Sequence, residues 1–343
     1  MIPVSIACGA WLRSVAPHLD PALVSTDALD RAAAVADRLP GTVLAALEAR
    51  LAGAPAPVDL SIRLDSPPEA ARVARGLRES PGVPGHAAAF VERWGADPRL
   101  RKAAPELWLE FDLDRPPGAG LPTPTLCARL APGLGEAPLF DEVFPALHGE
   151  PLSAEQRRLG RGLLRALPPA VRPSYAFSML SRGRGDVRLE LIGDAGAIAA
   201  AARRVAPAAG EAVAALAPLL AGAERIQASF DLGPDGMRPR AGLEGSFLRL
   251  PHREPRWRRL LRRLEDEGLA SAACRHACER WSGYDTPRTA GGWPAGAPRA
   301  GIFLARALSH VKLIAEPGRP AAAKVYLFVV PVVKAPALAG AAA

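Results

Sequence analysis

His310-Val311-Lys312-Leu313-Ile314, then Glu316-Pro317-Gly318-Arg319-Pro320, then Ala323-Lys324-Val325-Tyr326-Leu327-Phe328-Val329: the reading of this stretch decides the fold. Successive side chains of a strand point to opposite faces. His310 and Lys312 therefore share one side of the first run. In the second run Lys324, Tyr326 and Phe328 share one side, and Ala323, Val325, Leu327 and Val329 share the other. The Pro- and Gly-containing segment between them cannot continue a strand, so the two runs make a hairpin. Helices must cover its apolar side. Its polar side faces either solvent or a wet cavity lined by cations and an aromatic ring.

The pattern recurs up the chain. Val58, Leu60, Ile62 and Leu64 alternate with Asp59, Ser61, Arg63 and Asp65. Leu107, Leu109, Phe111 and Leu113 alternate with Trp108, Glu110, Asp112 and Asp114, and a Pro/Gly turn leads to a partner near 125–130 where Cys127 and Arg129 oppose Leu126, Ala128 and Leu130. A third hairpin spans 175–192 and places Arg188 and Glu190 opposite Val187, Leu189 and Leu191. A fourth turns at Gly233-Pro234-Asp235-Gly236, with Gln227, Ser229, Asp231, Glu244 and Ser246 as its polar set. Period-2 runs bounded by turn residues read as strands.

Helical patterns lie between the hairpins. They cover about 27–38, 41–51, 67–78 behind Ser66-Pro67, 86–94, segments up to 167, 195–222 and the Arg-rich amphipathic run around Trp257, Leu260, Leu261 and Leu264. Residues 282–301 read as a Gly/Pro-rich loop. Antiparallel hairpins alternating with helices do not build a doubly wound parallel sheet, which needs crossovers between parallel strands. The expected class is α+β: an antiparallel barrel of about eight to ten strands built from helix–strand–strand–helix units, helices outside. Its expected organisation is an N-terminal helical segment at 1–55, the barrel with its helices at 56–331, and a disordered tail at 332–343.

Composition narrows the function classes. The chain has 343 residues, of which 49% are hydrophobic, enough for a substantial core. No apolar run reaches the roughly 18 residues of a membrane helix, and the N-terminus lacks a basic stretch before its short apolar run, so a cytoplasmic protein is expected. The four cysteines are scattered, which is no disulfide framework. Cys274 and Cys278 lie one helical turn apart, but no second pair follows at a metal-binding spacing, so they read as small helix residues. The net charge of +8 comes mostly from Arg, and only 5% of residues are aromatic. No basic–aromatic interleaving of the kind that stacks bases appears, so no nucleic-acid partner is expected.

Phosphate-loop, zinc-protease, nucleophile-elbow and dinucleotide fingerprints are absent, as is an Asp-Asp-x-x-Asp sequence; neither a metal nor a cofactor is expected. The polar strand face is what remains. It carries Trp108, Glu110, Arg129, Arg188, His310, Lys312, Lys324 and Tyr326 among its charged and aromatic residues. Inside a barrel, the Lys and Arg side chains would bind an anion. Glu110 would accept a proton or hydrogen bond from a nucleophile. Tyr326 and Trp108 would shield a carbocation with their π faces. On an open sheet the same residues would be a solvated face joined by surface ion pairs. The Arg-rich helix reads more simply as a solvated face than as a membrane or acidic-partner surface.

Helix-flanked antiparallel hairpins over residues 57–330 resemble the prenyltransferase barrel, the α-β-β-α family of aromatic and peptide prenyltransferases. Lys324-Val325-Tyr326 is similar to the Lys-x-Tyr strand with which that family binds diphosphate and shields the allyl cation. Lys312 and Arg188 sit where other barrel strands of the family supply basic residues, and Glu110 lies on an early strand, as does its substrate-binding carboxylate. The resemblance implies metal-independent transfer of an allylic group from a diphosphate to an aromatic or peptide acceptor in natural-product biosynthesis. Glu110 and Tyr326 would be catalytic; Arg129, Arg188, Lys312, Lys324, Trp108 and His310 would bind substrate. The family usually has five hairpins, of which four are clear here. With only three Tyr, the alternative is a peptide-binding or peptide-modifying protein on the same barrel, without prenyl transfer.

Overall fold

The computed structural model describes residues 7–39, 44–53, 57–114, 120–183, 185–249, 253–289 and 292–333. Its strands are β1 (Leu44–Arg50), β2 (Asp59–Leu64), β3 (Glu106–Phe111), β4 (Thr125–Arg129), β5 (Arg172–Ser178), β6 (Val187–Ile192), β7 (Arg225–Gly233), β8 (Gly236–Ser246), β9 (Gly283–Asp285), β10 (Ile302–Ala315) and β11 (Ala322–Val333). Neighbours pair antiparallel in the order β11-β1-β2-β3-β4-β5-β6-β7-β8-β10, and β10 pairs back onto β11. Ten strands thus form a closed antiparallel barrel, and β9 adds to the free part of β10. Closure removes the unpaired edges that an open sheet would expose.

Alternation does the sorting. Leu47, Leu60, Ile62, Leu109, Phe111, Leu189, Phe230, Leu243, Leu313, Val325 and Leu327 point outward and are fully or almost fully buried. They join Trp94, Phe140, Phe144, Trp257 and Trp281 of the surrounding helices in one apolar core. The main core is therefore a layer between barrel and helices, and the inner face is left to polar and aromatic groups. At roughly 1.5–3 kcal/mol for each large side chain removed from water, this layer holds the barrel shut.

Local chemistry fixes the helices. The Ser153 hydroxyl and the Gln156 amide form a capping box at the start of Ala154–Ala166. Asp194 caps Ala195–Val205, and Ser271 caps Ala272–Trp281. Pro67 opens Pro67–Arg78, where its missing N–H costs nothing. In Arg256–Asp266 the buried stripe is Trp257, Leu260, Leu261 and Leu264. Two of its arginines are tied into the protein. Arg263 donates to the carbonyls of Pro218, Leu219 and Ala221, each at 3.1 Å. Arg256 pairs with Glu224 and Glu254 at 2.5 and 2.6 Å. No helix among the described residues is long and apolar enough to cross a membrane.

Three local expectations change. The helix expected over 41–51 is instead strand β1, whose Ala45–Arg50 pairs with β11 while Leu44–Glu48 pairs with β2. Leu-Ala-Ala-Leu-Glu-Ala-Arg is composed of strong helix formers, but two flanking strands supply hydrogen bonds that outweigh a propensity of tenths of a kcal/mol per residue. The last hairpin begins earlier and ends later than 309–330. β10 starts at Ile302, and a bulge between Leu308 and Val311 breaks its alternation. β11 runs on to Val333, so the strand enters the stretch expected to be a disordered tail; the remainder of that stretch, 334–343, lies outside the described residues.

Candidate active site

The barrel encloses a cavity of about 410 Å³. One end carries a rim of cations: Arg63 near the end of β2, Arg129 ending β4, Arg172 starting β5 and Arg225 starting β7. Arg129, Arg172 and Arg225 are exposed, which marks this end as the mouth. Arg63 is bidentate to Asp65 at 2.6 and 3.0 Å, and Arg129 pairs with Glu106. The Arg172 guanidinium donates to the carbonyl of Pro173 at 3.3 Å. Neither Arg172 nor Arg225 has a carboxylate partner among the described residues.

Below the rim the wall is mixed acid and aromatic. Glu110, Glu190, Glu244 and Lys312 stand among Trp108, Tyr175, Phe177, Tyr326, Phe328 and His310. Trp108 and Phe328 meet with ring centroids 5.8 Å apart, and His310 stacks on Tyr326 at 3.9 Å. Cys127, Phe177 and Met179 make a small apolar cluster of their own inside the barrel. Lys312 Nζ lies 2.8 Å from Glu244 Oε1, its cross-strand neighbour in register. Ser174 donates to Glu190 at 3.1 Å, and the Gln227 amide donates to the same carboxyl oxygen.

A third level lies deeper on the same inner face, toward the far end of the barrel. Glu48 of β1 sits directly opposite Asp59 of β2 and beside Tyr326 of β11. Lys324 bonds Glu48, and Asp59 at 3.2 Å; the Tyr326 hydroxyl donates to Glu48. Across the barrel Arg188 is bidentate to Asp231 at 2.6 and 3.1 Å, both groups buried.

These surroundings move the titrations apart. Burial raises the Glu110 carboxyl to about 7, against the pull of Lys312. Burial, reinforced by Glu244, raises Glu190 to about 8. Burial, then Glu48, lifts Asp59 to about 6. Burial also works upward on Glu48, but Lys324 and then Lys312 hold it down at about 2. Glu244 likewise stays below its ordinary value against burial, held by Lys312 and then His310. Burial lowers His310, against the pull of Glu244 3.5 Å away. A carboxyl near 7 in a cavity is poised to exchange a proton.

Of the residues singled out from sequence, Trp108, Glu110, Arg129, His310, Lys312 and Tyr326 line the cavity together. Lys324 and Arg188 lie on the same inner face beyond the cavity lining, each tied to its own carboxylates. Glu48 escapes a reading that makes 41–51 a helix. Arg225 shares the parity of Gln227, Ser229 and Asp231, which is a usable signal. Arg172 and Tyr175 both reach the cavity despite opposite parity, because β5 is irregular between Pro173 and Tyr175.

No family model matches this chain, and no curated protein matches it. Solved structures do. A crystal structure of the prenyltransferase PriB in its apo form is 16% identical, covers 94% of each chain and has a TM-score of 0.45. A crystal structure of AnaPT from Neosartorya fischeri is 10% identical, covers 97% of this chain and 94% of that one, and has a TM-score of 0.51. At these identities the likeness is one of architecture, and the architecture is the prenyltransferase barrel.

Proposed function

We propose that the protein is a metal-independent transferase of the prenyltransferase kind, which moves an allylic group from a diphosphate to an acceptor seated in the barrel. The observation that carries this reading is the cavity itself: an arginine rim at the mouth and, within, the Glu110 carboxyl among aromatic rings. In this reading the diphosphate sits at the rim, where Arg172 and Arg225, aided by Arg129 and Arg63, stabilise the charge that develops on it. The allylic C–O bond breaks and its electron pair leaves with the diphosphate. Trp108, Phe328 and Tyr326 flank the allylic cation. The acceptor's nucleophilic atom bonds to the allylic carbon, and its proton passes to the Glu110 carboxylate. Lys324 and Arg188 balance buried carboxylates and hold the wall in shape. The acceptor is an aromatic molecule or a peptide, of the kind made in natural-product pathways.

A second reading has its own support. Lys312, Lys324 and Arg188 all have carboxylate partners, which leaves less free positive charge inside than a diphosphate site needs. That favours a barrel that binds or modifies a peptide without prenyl transfer. Calorimetry with dimethylallyl S-thiolodiphosphate, in buffer without Mg²⁺, separates the two. The transferase reading expects micromolar binding, weakened at least about tenfold in Arg172→Ala/Arg225→Ala, since charge-assisted bonds contribute about 1.5–3 kcal/mol each. If the folded wild-type protein binds none, the second reading stands.

A further inference from the structure

The middle of the cavity holds more acid than base. Glu110, Glu190 and Glu244 share that level of the wall with Lys312, and Lys312 is engaged by Glu244 at 2.8 Å. The cations deeper in the barrel are engaged too: Lys324 by Glu48 and Asp59, Arg188 by Asp231 at 2.6 Å. Glu110 and Glu190 are left with no ion-pair partner among the described residues. The Glu110 carboxyl accepts no side-chain or backbone hydrogen bond from a described residue either. Glu190, only 2% exposed, takes Ser174 and Gln227 on Oε1, and its Oε2 accepts no hydrogen bond from a described residue.

Two carboxyls enclosed without counter-charge cost free energy in the empty protein. A ligand bearing the missing charge recovers that cost on binding. The neighbouring surfaces suit such a ligand: Trp108 and Phe328 line the same cavity, and Trp108 already holds a cation, the Arg63 guanidinium 5.8 Å from its ring centroid. A cavity of about 410 Å³ has room for one amino-acid side chain with its backbone, or for a small amine.

We infer that the ligand of this cavity carries an organic cation, a guanidinium or primary ammonium group, which seats against Glu110 and Glu190 beside Trp108 and Phe328. This names the chemical class of the acceptor, and it rests on the transferase reading only in calling that ligand an acceptor. The titrations agree in sense. Glu110 feels the charges of Lys312, Glu48, Arg188 and Glu244, and Glu190 those of Glu244, Lys312 and Arg188. Both carboxyls end above their ordinary range, so an arriving cation would drive protons off them.

The test is calorimetry of the full chain at pH 7 with two pairs of isosteres: Nα-acetylargininamide against Nα-acetylcitrullinamide, and Nα-acetyllysinamide against Nα-acetylnorleucinamide. At least one cation is expected to bind about tenfold or more tighter than its neutral partner. Proton release should appear as a heat that changes with the ionisation enthalpy of the buffer. Glu110→Gln/Glu190→Gln should lose the preference while keeping a cooperative melt. Equal binding of cation and isostere in the wild-type protein overturns the inference, as does a preference that survives in the double variant. No diphosphate is used, so the two readings fail separately. Cation binding without diphosphate binding removes the transferase reading alone; diphosphate binding without a cation preference removes this inference alone.

Discussion

Replacing Lys324 with methionine is expected to destabilise the barrel by about 3–5 kcal/mol at pH 8, the usual cost of stranding a buried charge. The cause is the pair it serves. Glu48 and Asp59 lie directly across β1 and β2, and Lys324 Nζ bridges them. Without the ammonium, two like charges face each other in a poorly solvated site, and the Glu48 that receives the Tyr326 hydroxyl loses its main counter-charge. Asp59→Asn in the Lys324→Met background should restore most of the loss, because one carboxylate with a tyrosine donor is a far smaller burden than two. Asp59→Asn alone should cost little, since burial and Glu48 already lift that carboxyl to about 6. Urea unfolding of the four proteins at pH 8 measures these differences. A loss below about 1 kcal/mol for Lys324→Met would mean that water reaches the cluster and that the ion pairs carry little of the strand pairing.

The same cluster shows where sequence reading succeeds and where it stops. The β3, β6, β7 and β11 faces are legible because each alternates strictly, so Glu110, Glu190 and Tyr326 fall on the inner face without any knowledge of the partners. What alternation cannot supply is the partner. Lys324 looks like a free cation next to a tyrosine; its engagement by Glu48 and Asp59 depends on β11 pairing with β1 rather than with β10 alone. β1 is hidden because Leu44–Arg50 consists of residues that suit a helix by propensity and a strand only by context. One signal was available. Leu47, Ala49 and Leu51 alternate with Glu48 and Arg50, and a Pro-containing stretch of sequence separates them from β2, which otherwise lacks its hairpin partner. Reading that alternation as a strand supplies the fifth hairpin. The irregularities in β5 and β10 are less legible still, since a bulge is a property of the pairing and not of one strand.

The unpaired carboxyls make a second large effect measurable without any ligand: the protein should become more stable as pH falls from 8.5 to 6.5. Glu190 sits at about 8 and Glu110 at about 7 in the folded barrel, and each returns to an ordinary value near 4.5 on unfolding. Over this interval the folded state therefore takes up protons that the unfolded chain does not. A group with a raised native pKa stabilises the fold below that pKa and loses the contribution as pH rises through it. For these two values the gain on going from 8.5 to 6.5 is about 2–3 kcal/mol, or a melting temperature higher by roughly 3–4 °C. Other groups turn the curve over at lower pH. His86, His148 and His310 are lowered by burial, so from about pH 7.5 downward unfolding lets them take up protons, which takes back part of that gain. Glu48 and Asp231, both near 2 in the fold, give up their contribution in stronger acid. Glu190→Gln should flatten the slope and be more stable than wild type at pH 8.5, because the amide keeps the hydrogen bonds' geometry and removes the ionisation. A melting temperature that is level or falls between pH 8.5 and 6.5 would show that both carboxyls ionise freely, and with that the enclosed, counter-charge-poor cavity described above would lose its physical basis.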